Sequence, residues 1–270
     1  MILGIDAGNS EVKVCGEFGV IQFPSDISEW RELKLKSEKF IHDIEWEYQG
    51  KRGFAGTLAQ LEGEFSGTQK GDTKAHEETL LRVLFALHNY SEHEHFKIVV
   101  GQPISQHTAG EKEKIKKLLL GNHEIKINGV ERRFYINRVE VAAEEASSFW
   151  CEPEDGLVRI IGVGAGTIGC ATLFNKRYVD KESFSLNFGA DTVRNLDYQA
   201  LARKINNEAN WDKGDRVKLI GGLAEHLFPY ICDHYPKTKV MYPIIKGERV
   251  HPIFCNCVGF YEIARGIYGD

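Results

Sequence analysis

Two glycine-rich hairpins constrain this chain more than any other feature. Residues 158–173 begin as an apolar run, Val158-Arg159-Ile160-Ile161. They pass through a turn carrying Gly162, Gly164 and Gly166 and leave through Thr167-Ile168-Gly169-Cys170 as a second strand-like run. Glycine adopts backbone conformations closed to other residues, so such a turn can present its N–H groups outward, and clustered N–H groups suit a phosphate. The start of the chain echoes the pattern: Ile2-Leu3-Gly4-Ile5-Asp6 leads through Ala7-Gly8-Asn9-Ser10 into Glu11-Val12-Lys13-Val14. Either one alone is readable as an ordinary tight turn; the pair predicts two matching lobes. A third glycine signal, residues 217–224, runs from a short apolar strand through Gly221-Gly222 and Leu223 into a helical segment, where backbone can approach a planar base closely.

At 270 residues the chain is long enough for two small lobes. A net charge of -5 argues against a broad basic surface that grips nucleic acid directly. No run approaches the ~18 apolar residues of a membrane span, and Met1 opens into a strand without a charged leader, so a cytoplasmic protein with no membrane partner is expected. The six cysteines, Cys15, Cys151, Cys170, Cys232, Cys255 and Cys257, form no Cys-x-x-Cys pair and are expected to be buried thiols. Cys255 and Cys257 alternate, which would put both sulfurs on one face of a strand or loop, yet no further metal ligands lie nearby.

Strands are expected at 19–23, 44–48, 53–56, 97–100, 183–188 and 239–242, with Gln49-Gly50-Lys51-Arg52 turning one hairpin and Asn128-Gly129 another. Helical spacing marks 77–90, 109–120 and 196–209. Residues 30–39 show no decisive pattern, and 63–73 is a polar loop at a lobe tip. Arg138-Val139-Glu140-Val141 leads as a strand into a small-residue helix beginning near Ala142-Ala143-Glu144-Glu145.

The three glycine signals, in this order, resemble the actin-like ATPase superfamily, and within it the plasmid-segregation actins of the ParM and Alp type. Phe54-Ala55-Gly56-Thr57-Leu58-Ala59, the Gly101-Gln102-Pro103-Ile104 turn and the closing run from His251 to Tyr261 resemble further elements of that group. The resemblance implies an α/β, two-lobed actin-like fold built on repeated ribonuclease H-like βββαβα units. The first lobe would span 1–150 with 253–270 returning to it, Gln102 would face the cleft, and the second lobe would span 151–252. Gly169 and Leu219 lie only 50 positions apart, whereas ParM-type chains insert a subdomain there. The second lobe is therefore expected to be reduced, as in AlfA-like short members lacking subdomain IIB.

By the same resemblance the cofactors are ATP (or GTP) and Mg2+. Asp6 would serve the metal and catalysis, Gly8, Asn9 and Ser10 the phosphates, and Lys13 the β-phosphate. Gly164, Ala165, Gly166 and Thr167 would close from the second hairpin, and Gly221, Gly222 and Leu223 would hold the base. Glu144 matches a water-positioning glutamate, with Ala143 for the usual proline and Glu145 for the usual glycine. The alternative for both glutamates is a pair of solvated carboxylates at a helix start, favoured by the helix dipole. Gly162 stands where the group has an aspartate and Gly169 where it has an acidic or amide residue, so hydrolysis is expected to be slow. The implied function is a nucleotide-dependent filament that segregates plasmid or phage DNA. Its partners would be further copies of itself, meeting through 63–72 and 196–209, and a small DNA-binding adaptor. A small-molecule kinase of the same superfamily and a non-polymerising nucleotide-binding regulator are the competing readings.

Overall fold

The computed structural model describes residues 1–35, 38–67, 73–192 and 195–269. The expected loop 63–72 falls partly outside them. Two compact units emerge: Met1–Val100, Thr108–Val141 and Ala264–Asp270 form the first, and Gly101–His107 with Ala142–Ile263 form the second.

The first unit is built on a nine-stranded sheet. Its strands are β1 (Ile2–Ala7), β2 (Glu11–Gly16), β3 (Gly19–Pro24), β4 (Ile27–Glu29), β5 (Asp43–Tyr48), β6 (Lys51–Gly56), β7 (His95–Gln102), β8 (Gly121–Ile127) and β9 (Val130–Ala143). They lie in the order β3-β2-β1-β7-β9-β8-β5-β6-β4. Turn chemistry sets two of the hairpins. Asn128 and Gly129 take φ of 51° and 85°, the two positive values that a tight turn matched to strand twist requires. Gln49 and Gly50 do the same at 48° and 76°, and Tyr48 pairs with Lys51, so this turn is two residues long and not the four expected. β9 runs unbroken from Val130 to Ala143; its buried side chains include Phe134 and Ile136 before, and Val139 and Val141 after, the two consecutive exposed residues Asn137 and Arg138, where the alternation shifts by one.

Among the described residues, α1 (Thr57–Glu62), α2 (Glu77–Tyr90) and α3 (Ala109–Leu119) lie wholly in this unit. α2 buries Leu80, Leu81, Leu84, Phe85 and Leu87 against the core, the stripe its 3.6-residue spacing announces. Arg82 is buried among them and stays satisfied by donating to Glu78 and to the Ser25 carbonyl. Thr108 caps α3 by accepting from the Glu111 N–H.

In the second unit the strands are β10 (Leu157–Val163), β11 (Ile168–Phe174), β12 (Arg177–Tyr178), β13 (Phe184–Leu186), β14 (Arg216–Gly221) and β15 (Lys237–Val240). The order is β12-β11-β10-β14-β15, with β13 also paired to β11. The first unit's plan recurs here. A strand pairs antiparallel with its hairpin partner on one side and parallel with a crossover strand on the other, β1 with β2 and β7, β10 with β11 and β14. The expected repeat is therefore present in the topology.

Both faces of this sheet are covered, as parallel strands require. Ile161, Val163, Val217 and Leu219 pack with α4 (Tyr198–Ala209) and α5 (Ala224–His234). Val158, Ile160 and Ile220 face Ala146, Phe149, Met241 and Cys255 on the other side. Between β11 and β14 the described chain holds only short pieces and α4, which joins the same core. The units part near Val141 and Ile263, and not at 150 and 253, because Ala146–Cys151 and the start of α6 (Cys255–Tyr268) pack into this second core. Ala146–Cys151 is a 3-10 turn and not the α-helix expected there. Cys255 and Cys257 lie on a helix, not a strand, so they do not share a face; their thiols donate to the Met241 and Phe254 carbonyls. Among the described residues no helix is long and apolar enough to cross a membrane.

Lys218 is 1% exposed, and its ammonium reaches Glu154 at 2.8 Å over the Phe149 ring. Burial pushes the Glu154 carboxyl up, but Lys218 and Lys239 outweigh it and hold it down to about 2. A depressed carboxyl contributes stability above its ordinary value of 4.5 that is lost as pH falls toward about 2. We therefore expect Glu154→Gln to lower unfolding free energy at pH 7 by about 1–3 kcal/mol, the cost of an under-satisfied buried cation. Its denaturation midpoint should also vary less than wild type between pH 5 and about 2, read by urea titration at each pH.

Candidate functional site

In the first unit the candidate residues cluster at one hairpin end. Asp6 and Lys13 are directly opposed in the β1–β2 ladder, which puts both side chains on the same face. The turn Gly8-Asn9-Ser10 closes tightly: a Cβ on Gly8 would lie 2.8 Å from the Glu11 carbonyl oxygen and 3.9 Å from Asp6 Oδ1. The Asp6 carboxylate thus stands beside the turn. Ser25 fixes the turn by donating its N–H to the Ser10 carbonyl and its hydroxyl to the Gly8 carbonyl, at 3.0 and 2.7 Å. With those carbonyls engaged, the N–H groups of Asn9 and Ser10 meet no protein acceptor among the described residues. Lys13 has Glu11 at 3.5 Å, a partly exposed pairing of modest strength.

The second unit presents the matching turn. Gly164 donates to the Thr167 carbonyl at 3.0 Å, closing a four-residue tip over the β10–β11 ladder. The carbonyls of Gly164 and Ala165 accept from Ala190 and Asp191, and Gly189 packs so close that a Cβ there would lie 2.5 Å from the Gly164 oxygen. The carbonyls point into the protein, and the N–H groups of Ala165 and Gly166 meet no protein acceptor among the described residues. That polarity suits an anion.

Register brings the third signal to the same edge. β10 and β14 are parallel with Val163 opposite Gly221, so Gly221, Gly222 and Leu223 leave the sheet beside Gly164. Gly221 has φ of 91°, and a Cβ would come within 2.6 Å of the Val163 oxygen, so only glycine fits. A Cβ on Gly222 would meet, among the described residues, only Ile253 Cδ1 at 3.6 Å, and Leu223 leads into α5. An open glycine step at the carboxyl end of parallel strands is a favoured place for a planar ligand.

Glu144 and Glu145 are not solvated. They are 8% and 7% exposed, against the reading of two carboxylates at a helix start. The Glu144 N–H donates to the Gln102 carbonyl at 2.9 Å, and Gln102 is fully buried with both amide atoms unpartnered among the described residues. The Ala146 N–H donates back to the Glu144 carbonyl at 2.5 Å, making Glu145 the centre of a γ-turn. Glu145 sits there at φ 56° and ψ -54°, a strained conformation for a residue with a side chain, costing about 1–3 kcal/mol. Neighbours hold it: its N–H donates to Asn256 Oδ1 at 3.0 Å, and Ser148 donates both N–H and hydroxyl to its carbonyl.

Sequence reasoning passed over Glu145 as a mere departure from a motif. The tertiary structure brings it against Gly162 and Gly169, which face each other across the β10–β11 ladder. A Cβ on Gly162 would lie 2.5 Å from Glu145 Cγ, and one on Gly169 would fall on its carboxylate. Cys170, beside this pair, has its thiol pushed up by burial first and by the Glu145 charge second.

Comparisons with known proteins agree with this architecture. The family model "Actin like proteins N terminal domain" matches residues 4–145. No curated protein matches the chain. Among solved structures, the chain is similar to an AlfA filament bound to AMPPNP, with a TM-score of 0.80 at 20% identity over 99% of this chain and 97% of that one. It is also similar to the AlfA filament from a B. subtilis plasmid, with a TM-score of 0.78 at 19% identity over 96% and 97%. An archaeal actin homolog in complex with ADP gives 0.76 at 18% identity over 98% and 99%. With more than half its length matched by the family model and its fold shared along nearly the whole chain, this protein belongs to the actin-like proteins.

Proposed function

We propose that this chain binds a nucleoside triphosphate with Mg2+ and assembles into filaments in that state. The observation that carries the reading is a hairpin repeated in each unit, its turn exposing unengaged N–H groups, with a glycine step open to a base beside the turn of the second unit. Similar proteins were captured as a filament bound to AMPPNP and as a complex with ADP, which supports the same chemistry here.

The residues present fit a metal-bound polyphosphate. A metal held partly by phosphate oxygens and water needs few protein carboxylates, and Asp6 stands beside its turn ready to accept from metal-bound water. Mg2+ would neutralise the charge on the transferring phosphoryl group. Gly8, Asn9 and Ser10, with Gly164, Ala165, Gly166 and Thr167, orient the phosphates through backbone N–H groups. Lys13 supplies positive charge on the face it shares with Asp6. Gly221, Gly222 and Leu223 receive the base, ATP or GTP. Glu144, buried beside Gln102, accepts from the attacking water and fixes its line of approach.

In this reading the filament separates plasmid or phage DNA through a small DNA-binding adaptor. The net charge of -5 fits that division, since the filament need not hold DNA itself. The described residues 196–209 and 63–67 would carry contacts between copies.

Right-angle light scattering should rise on adding Mg-ATP or Mg-GTP and stay flat with EDTA; a flat trace with both nucleotides, at concentrations that saturate binding, refutes the filament reading and leaves a monomeric nucleotide binder. Asp6→Ala should abolish phosphate release and weaken metal-dependent nucleotide binding. Wild-type release in that variant removes Asp6 from the metal. Glu144→Ala should slow phosphate release about 100-fold while leaving nucleotide affinity within about threefold; an equal loss of affinity would make Glu144 a structural residue.

A further inference from the structure

We propose that Glu145 is the carboxylate of the second phosphate hairpin: its side chain lies across the Gly162–Gly169 pair and positions metal-bound water beside the turn 164–167. The inference rests on the nucleotide reading above.

Three positions form one device. Neither Gly162 nor Gly169 has a positive φ, so the backbone at both would accept any residue. What keeps them bare is space. A Cβ on Gly162 would meet Glu145 Cγ at 2.5 Å and Oε1 at 3.0 Å, and a Cβ on Gly169 would fall on Cδ and Oε2. The converse holds at 145, where a γ-turn with φ of 56° favours glycine and yet a glutamate stands. Glycine thus occupies two positions whose backbone does not call for it, and glutamate the one whose backbone disfavours it. The exchange makes physical sense if the carboxylate is wanted over the hairpin and is delivered from the neighbouring segment.

Its location suits the role. The carboxylate lies over Gly162, which is two residues before Gly164, about 7 Å along the strand at a rise of about 3.3 Å per residue. From there the carboxylate would hold a phosphate-bound Mg2+ through an intervening water. The backbone that carries it is also held. Asn256 and Ser148 fix both sides of its peptide unit, and at 7% exposure it has little room to swing. Glu144 on the adjoining residue is left for the attacking water. Two neighbouring glutamates thus divide the work, one serving the metal and one the nucleophile.

Mn2+ binding, followed by electron paramagnetic resonance with a non-hydrolysable ATP analogue present, tests the assignment without turnover. Glu145→Gln keeps the shape and removes the charge. It should weaken Mn2+ about tenfold in the ternary complex and leave metal-free analogue binding unchanged; unchanged Mn2+ affinity overturns the proposal. Gly162→Asp alone should unfold at a lower temperature, because its Cβ meets Glu145 Cγ. The double variant Glu145→Gly with Gly162→Asp should recover both thermal stability and Mn2+ affinity, since it moves the carboxylate and relieves the γ-turn. Recovery of stability without recovery of Mn2+ affinity would confine Glu145 to packing and overturn the metal role. Wild-type protein that binds no analogue at all would refute the nucleotide reading itself, an outcome distinct from analogue binding that is indifferent to Glu145.

Discussion

Parallel pairing next to each hairpin is the constraint on which the rest of this protein depends. In the second unit β10 runs alongside β14 with Val163 opposite Gly221, so the turn after one strand and the glycine step after the other leave the sheet at a common edge. Neither could be moved without shifting the register, and a one-residue slip would turn every buried side chain of the strand to the opposite face. Ile161 and Val163 would then exchange sides with Ile160, losing contact with α4 and α5. The hydrophobic alternation of β10 and β14 and the placement of the glycines are thus two aspects of one register. β1 and β7 repeat the arrangement, with Ile5 opposite Val100.

Charge is distributed along the second sheet in a way that follows from its two covered faces. Near the start of its strands, Arg159 is tied to Asp215 at 2.9 Å and to Glu182, and Lys218 to Glu154. Buried cations are tolerated there because each meets carboxylates and further acceptors. At the other end, carboxylates gather in the form of Glu144 and Glu145. Cations are thus anchored near the start of the strands, and the two buried carboxylates lie toward the turn end.

Unusual backbone conformations occur at that same end. Glu145 at the centre of a γ-turn and Gly221 at positive φ both lie within the segments that meet at the strand ends. Packing holds them: α6 approaches so closely that a side chain on Gly259 would strike the Ser147 carbonyl, and Asn256 on that helix takes the Glu145 N–H. A strained turn persists only where its surroundings over-determine it, and α6 supplies that here.

Much of this was legible from residues alone, for a physical reason. The turn at Asn128-Gly129 is set by local backbone preference and the stripe of α2 by its period, and the turns at Gly8-Asn9-Ser10 and 164–167 are marked by their small residues between apolar runs, so a linear reading finds them. Sequence by itself thus determined the paired hairpins, their repeat and the glycine step after β14. The nature of the segment after β9 was decided by tertiary structure: Ala146 and Phe149 are drawn into a core with Val158 and Cys255, which makes a 3-10 turn and buries carboxylates that local rules would leave in water. Cys255 and Cys257 likewise alternate as a strand would, yet packing makes that run a helix. Only the fold could show that Gly162 and Gly169 are empty because Glu145 fills them, since the three meet through a cross-strand pair and a turn many residues upstream, and contact at that separation leaves no periodic trace in a sequence.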